Sequence, residues 1–299
     1  MPQKDHPSNR KLSVSMVRLV SSAVLSSLTL TKLGIHVNHE EHAYGDNPAE
    51  RLDHLIPAGE ARPDAVAFFH GGGWVAGSKR HYTKDLGFLP DAGYPVFNIE
   101  YPLAPEFPHP HALRSMLSAV KWIKNNRPQV NSLHMMGDSA GGNLAAMYGV
   151  LYANPDLLRH IDPETSPDEL LPARSVVSLY GMLDRETCIG ENPDETPAMV
   201  RLFIESYGGP DAMKLEKLPP ECAITPLDLE WTRHPRCFIG VGDKDFLLAS
   251  SERYAKHLAS LEIPTVQKIY PGAPHGFINM RHDQTPNLKQ DVLDFIGSA

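Results

Sequence analysis

The sequence predicts an α/β fold, a mostly parallel central sheet with helices on both faces. Short apolar runs of strand length recur along the chain, and segments with apolar residues at helical spacing separate most of them. That alternation is the mark of parallel strands joined by helical crossovers and buried on both sides. Composition agrees: 299 residues with 41% hydrophobic and 21% charged content can build a sizeable core without disulfides or metals. The whole of 1–299 reads as one domain.

The N-terminal segment places Lys4, Arg10, Lys11 and Arg18 before a serine-rich apolar stretch at 19–28. No small-x-small cleavage site follows it. Leu12, Met16, Leu19, Val20, Ala23, Val24 and Leu28 fall on one helical face, so an amphipathic helix packed on the body is expected rather than a cleaved signal. The stretch is too short and too polar to span a bilayer. His36, His39 and His42 with Glu40 and Glu41 come next. Their order is not H-E-x-x-H, so a solvated turn is expected there, without metal.

Two short strands at 42–45 and 51–57 flank the turn Asp46-Asn47-Pro48. Strand-like runs follow at 65–69, 95–101, 133–136, 175–180, 237–241 and 266–270. Between them, 112–125 presents Leu113, Met116, Leu117, Val120 and Ile123 on one face, and Pro128 closes it. Residues 142–153, 251–261 and 287–296 carry the other helical patterns. The Pro-, Asp- and Glu-rich stretch 154–172 reads as an exposed loop without chemistry.

One region breaks the rhythm. More than fifty residues without a strand pattern separate Gly181 from Cys237. Within them, Thr196 as N-cap and Pro197 at the first helical position start a helix that Gly208-Gly209-Pro210 stops. Met199, Leu202, Phe203 and Tyr207 line one face of it. An insertion leaving the carboxyl end of a strand is well placed to cover a site there. With the N-terminal helix it makes a helical cap, drawn from about residues 1–42 and 183–232.

The chemistry is carried by two glycine-rich segments, each after a strand-like run. Gly137-Asp138-Ser139-Ala140-Gly141 is a G-x-S-x-G elbow, in which a cramped strand-to-helix turn leaves no room for a Cβ on either side of the serine. His70-Gly71-Gly72-Gly73-Trp74 supplies backbone N–H groups suited to an oxyanion. No G-K-[ST] follows it, which argues against a phosphate loop. A hydroxyl nucleophile needs a base and a group to orient that base. Of fifteen histidines, only His275 follows the last strand in a Gly/Pro-rich loop. For the acid, Asp243 and Asp245 both follow the strand at 237–241 and both give the chain order Ser…Asp…His. Asp243 beside Gly242 suits a turn residue. Asp245, which precedes an apolar pair, is the preferred acid. Glu106, His109 and His111 in a proline-rich loop are expected to buttress the elbow.

These segments resemble the hormone-sensitive-lipase-like group of α/β-hydrolase carboxylesterases, also called bacterial family IV. The matching residues are 70–74, Tyr101-Pro102-Leu103-Ala104-Pro105-Glu106, 137–143, 242–247 with Glu252 and Tyr254, and His275-Gly276-Phe277. They span roughly 43 to 297, and the combination is specific. The resemblance implies the α/β-hydrolase fold with a helical cap. It also implies an acid three residues past the strand's closing glycine with a tyrosine nine residues further on, a register that Asp245 and Tyr254 fit and Asp243 does not. It implies further that Gly72, Gly73 and the Ala140 N–H hold the oxyanion. The long 154–172 stretch and the cap sequence depart from the family pattern and leave the substrate open.

The expected activity is a serine carboxylesterase acting on short- to medium-chain acyl esters through Ser139, Asp245 and His275, without cofactor or metal. Trp74, Phe203, Tyr207 and Phe246 are the candidates to line the acyl pocket, although aromatic residues there serve equally well as ordinary core. An arylformamidase or amidase would use the same machinery. A non-catalytic receptor, as among plant hormone receptors resembling this family, lacks the histidine that this chain keeps. The partner implied is a small acyl ester. A formal charge of −8 without a Lys/Arg-rich run disfavours nucleic acid. Cys188, Cys222 and Cys237 form no framework, so a cytoplasmic setting is expected over a secreted one. A homodimer remains open.

Overall fold

The structure is a computed structural model that describes residues 7–30 and 37–298, with side chains in the first helix described for residues 14–28. Its strands are β1 (His39–Ala43), β2 (Arg51–Leu55), β3 (Asp64–Phe69), β4 (Val96–Ile99), β5 (Ser132–Asp138), β6 (Ala173–Leu179), β7 (Cys237–Gly242) and β8 (Thr265–Tyr270). They form one sheet in the order β1-β2-β4-β3-β5-β6-β7-β8. β2 is antiparallel to both neighbours, and every pairing from β4 to β8 is parallel. β3, β4 and β7 are buried along their whole length, as strands covered by helices on both faces must be. After β3 the chain adds β4 on one side and β5 on the other, so the loops leaving β3 and β5 lie side by side at the carboxyl edge.

The helices are α1 (Pro7–Leu30), α2 (Phe88–Asp91), α3 (His111–Asn126), α4 (Ala140–Ala153), α5 (Pro155–Ile161), α6 (Arg185–Ile189), α7 (Ala198–Gly208), α8 (Leu248–Ser260) and α9 (Thr285–Gly297). Two hydrophobic clusters occupy the two faces of the sheet. One takes Leu113, Met116, Leu117 and Val120 of α3 with Leu144, Met147 and Leu151 of α4. The other takes Leu86, Leu89 and, from α9, Leu288, Val292 and Phe295. Among the described residues no helix is long and apolar enough to cross a membrane.

Several sequence expectations need correction. The stretch 154–172 is not simply an exposed loop. Pro155 opens α5, whose Leu158 and Ile161, one turn apart, are buried, and Thr165, Leu170 and Leu171 are buried after it. Polar composition masks this short amphipathic turn. The first strand spans His39–Ala43 rather than 42–45, so His39, Glu40, Glu41 and His42 lie in a strand and not in a turn. His36 lies outside the described residues. α4 begins at Ala140, two residues earlier than the apolar pattern suggests, because the elbow turns directly into the helix. α7 begins at Ala198 with Pro197 in the capping position, and Thr196 Oγ1 donates to Ile189 O instead of capping the helix.

The largest correction concerns α1. Val14 is buried, and Val17, Arg18, Ser21, Leu25 and Leu28 are half-buried against the body. Met16, Leu19, Val20 and Val24 are 63, 72, 59 and 50% exposed. Ala23 is exposed too, and the Leu12 side chain lies outside the described residues. Most of the expected inward face therefore points outward. Arg18 explains the rotation. Its guanidinium needs several acceptors and finds them on the body. It donates to Val75 O at 2.7 Å, to Ala104 O at 2.8 Å and to both Glu106 carboxylate oxygens at 3.0 and 2.6 Å. Hydrophobic periodicity cannot weigh that anchor.

Candidate active site

The carboxyl edge of the sheet gathers four loops into one place: those after β3, β5, β7 and β8. Between β5 and α4, Ser139 sits at φ 52° and ψ −119°, a strained conformation for a non-glycine residue. The tight packing of the elbow holds it there. A Cβ on Gly137 would come 2.3 Å from Gly141 C and O, and a Cβ on Gly141 would come 1.9 Å from Phe69 O. The Ser139 N–H donates to Leu179 O at 2.8 Å, which ties the elbow to β6. The hydroxyl is thereby lifted clear of the sheet.

His275 follows β8 in the Gly/Pro loop. Its Nε2 lies 3.0 Å from Ser139 Oγ, and its Nδ1 lies 3.0 and 2.9 Å from the two carboxylate oxygens of Asp245. Asp245, after β7, is buried, and its Oδ1 also accepts the Leu247 N–H at 2.8 Å. An imidazole bonded to a buried carboxylate through Nδ1 presents an unprotonated Nε2 to the hydroxyl. Asp243 is exposed and points elsewhere, accepting the Gly272 N–H at 2.8 Å. Tyr180 meets the His275 ring edge-on at 5.1 Å, and Phe246 lies 4.6 Å from it. Tyr254 is buried and lies 3.0 Å from His234 Nε2, away from this cluster.

After β3, Gly72 and Gly73 take φ 125° and 59°. Gly73 lies directly beneath the Phe203 ring, where a Cβ would approach within 2.5 Å. The loop is held from below by Asp138, whose Oδ1 accepts the Gly71 N–H at 2.7 Å and whose Oδ2 accepts the Tyr82 hydroxyl at 3.1 Å. Burial pushes the Asp138 carboxyl up to about 7, against the pull of the Tyr82 hydroxyl and of His275. Sequence places Asp138 inside the elbow motif but assigns it no role. In the fold, this buried acidic neighbour of the nucleophile also pins the adjacent loop.

Gly72, Gly73, Ser139, Ala140 and His275 share one cavity of about 400 Å³. α1 contributes Val17, Val20, Val24, Leu25 and Leu28 to its wall, and α7 contributes Met199, Val200 and Phe203. Trp74 and Phe246 line it too, so three of the four aromatic candidates face the cavity. Tyr207 does not. It is buried behind Trp74, stacked at 4.5 Å with ring planes 6° apart. Leu202 likewise stays outside the lining and is half-buried in the core. The buried side of α7 is Val200, Ile204 and Tyr207.

Buried polar groups hold the insertion together and fasten it to the body. Arg185 and Asp228 pair at 2.8 Å, and Arg185 also donates to Ala212 O at 3.1 Å. Asn143 Nδ2 of α4 donates to Met182 O and Ile224 O at 2.8 and 2.9 Å. Glu106 and His109 contact the cap and not the elbow: Glu106 pairs with Arg18, and His109 meets the Tyr207 ring edge-on. His111 does not reach the elbow either, its Nδ1 lying 2.8 Å from Pro108 O.

Elsewhere, Glu40, His42 and His54 converge with ligand-type atoms within 4.8 Å of one another. β-pairing of Glu40 with His54 and the two-residue spacing to His42 bring them together. The Arg127 guanidinium sits on this cluster, 2.9 Å from His42 Nε2, and its charge disfavours a cation there.

Comparison with known proteins places this architecture among relatives. A family described as having the alpha/beta hydrolase fold matches residues 66–279. The chain is 29% identical over 234 residues to a versiconal hemiacetal acetate esterase of Emericella nidulans, covering 73% of this chain and 76% of that one. It is 36% identical over 131 residues to human hormone-sensitive lipase, which is 40% of this chain but only 12% of that much longer protein. The crystal structure of esterase B from Lactobacillus rhamnosis, inhibited by a tributyrin phosphonate, superposes with a TM-score of 0.81 at 16% identity, covering 98% of this chain and 96% of that one. At that identity the likeness speaks for the fold.

Proposed function

This chain belongs to the α/β-hydrolase fold family, in its hormone-sensitive-lipase-like branch, and from that premise we propose that it is a carboxylic ester hydrolase working through Ser139, His275 and Asp245. The observation that carries this reading is the continuous chain of contacts from Asp245 through His275 to Ser139 at the floor of an apolar cavity. His275 Nε2 takes the Ser139 proton as Oγ attacks the ester carbonyl, and Asp245 stabilises the imidazolium that forms. The N–H groups of Gly72, Gly73 and Ala140 receive the oxyanion, each such donor contributing on the order of 3 kcal/mol. The imidazolium then protonates the departing alkoxide, leaving an acyl group on Ser139. Water, deprotonated by His275, releases the acid and restores the serine.

An apolar wall from α1 and α7 favours an acyl chain over a polar substituent, since each methylene it buries is worth about 0.8 kcal/mol. Short- to medium-chain esters are therefore the substrates this reading assigns. A panel of p-nitrophenyl esters, the matching anilides and formanilides, run on the wild type and Ser139→Ala, tests it. Ester turnover lost in the variant is the expected outcome. Preferred turnover of formanilides, or ester turnover that survives the substitution, would overturn it.

A further inference from the structure

The outward face of α1 is more apolar than a helix at a protein surface usually presents. The helix is apolar on both sides, and such a helix is satisfied only when both are covered. The body covers one side. On the other, Met16, Leu19, Val20 and Val24 stand between half and three-quarters exposed. Scattered surface hydrophobes need no explanation, but a contiguous patch does. Here the patch is continuous with the mouth of the catalytic cavity. Val20 and Val24 belong both to the ridge and to the cavity wall, and Phe246, another wall residue, is 60% exposed.

We propose that this ridge docks the protein onto a lipid–water interface, so that the cavity draws its ester substrate from an aggregated phase. The substrate-delivery half of this inference rests on the ester-hydrolase reading, whereas the docking half stands without it. Charge supports a lipid partner. The charged residues of α1 are all basic, Arg10, Lys11 and Arg18, the last of them paired with Glu106 of the body, in a chain whose formal charge is −8. A helix with an apolar face and only basic charges suits the boundary between headgroups and acyl chains. Area argues against a second copy of this chain. Four side chains on one helix face fall well short of the ~800 Å² per partner that a stable protein–protein interface buries. A lipid surface has no such threshold.

The test is flotation of the full chain with phosphatidylcholine vesicles, with and without phosphatidylserine, beside the double variant Met16→Glu/Leu19→Glu. Neither residue lines the cavity. Wild type should float with the vesicles, and the variant's partitioning should fall by at least about tenfold because two apolar side chains that enter the lipid are replaced by charges. Hydrolysis of dissolved p-nitrophenyl butyrate should be unchanged in the variant, which also reports that it has folded. Hydrolysis of emulsified tributyrin should drop with the partitioning. Ala23→Glu, on the same face, serves if the double variant fails to fold. The proposal is overturned if wild type does not associate with either vesicle, or if the folded variants associate equally well. It is equally overturned if the substitutions abolish a concentration-dependent dimer in sedimentation while vesicle binding is absent. Vesicle binding with no turnover of any ester would instead defeat the ester-hydrolase reading and leave the docking intact.

Discussion

At the scale of single residues, two aspartates two positions apart are separated by where their carboxylates point. Asp245 faces His275 from a buried position, and Asp243 faces solvent and caps the Gly272 N–H. Asp245→Asn should lower kcat by about 10⁴, because the amide favours the wrong imidazole tautomer. Asp243→Asn should cost far less. Steady-state kinetics on p-nitrophenyl butyrate decides it, and a more damaged Asp243 variant would reverse the assignment. Asp138 contributes to the pH dependence of stability. Its carboxyl is pushed up to about 7 in the folded chain from an ordinary value near 3.8, so the folded state binds its proton more tightly than the unfolded one. That contribution is fully present below about pH 4 and is lost as pH rises toward 7. Asp138→Asn lacks that contribution, so the melting temperature of wild type relative to the variant should fall as pH rises from about 4 to 7, read by thermal denaturation of both at a series of pH values. A parallel slope in both proteins would contradict the role assigned to the buried carboxyl. The elbow motif locates Asp138 in sequence, but its role depends on Gly71 and Tyr82, which lie far off in the chain and cannot be read from spacing.

At the scale of elements, the elbow shows why glycine spacing is so informative. Gly141 has no room for a side chain because Phe69 O, at the end of the neighbouring strand, occupies the position. Gly141→Ala should destabilise the fold by about 2 kcal/mol or more, since overpacking against backbone cannot relax by a rotamer change. Chemical denaturation measures it, and an unchanged midpoint would show that β3 and α4 are less tightly apposed than this contact requires. Strands and long helices are legible in the sequence because burial on both faces writes a continuous apolar run and burial on one face writes a 3.6-residue period. α5 is not, because its two buried residues make too short a pattern amid Pro, Asp and Glu. The rotation of α1 is not legible either, because a charged residue, Arg18, sets it through contacts with Val75, Ala104 and Glu106. Periodicity groups Tyr207 with Phe203, yet one lines the wall and the other supports Trp74 from behind.

At the scale of the whole molecule, the sheet supplies a rigid edge and the two cap segments close it. The topology puts the loops after β3, β5, β7 and β8 in contact, and residues as far apart as 72 and 275 meet there. α1 and α7 then turn an open edge into a cavity of about 400 Å³. Acyl chains of about four to eight carbons should be hydrolysed best, since each added methylene gains until the wall is reached and then must stay wet or displace a helix. A kcat/KM profile of p-nitrophenyl esters from acetate to palmitate reads this, and a maximum at palmitate would mean that the cap opens into a longer groove. The central claim, that Ser139 is the acylated nucleophile of an ester hydrolase, is tested most directly by titration with a p-nitrophenyl alkylphosphonate followed by peptide mass analysis. The account predicts close to one equivalent of p-nitrophenol released per chain, loss of ester hydrolysis in parallel, and the phosphonyl group on the peptide containing Ser139. Ester hydrolysis that persists after the titration, or a label on any other residue, would contradict it.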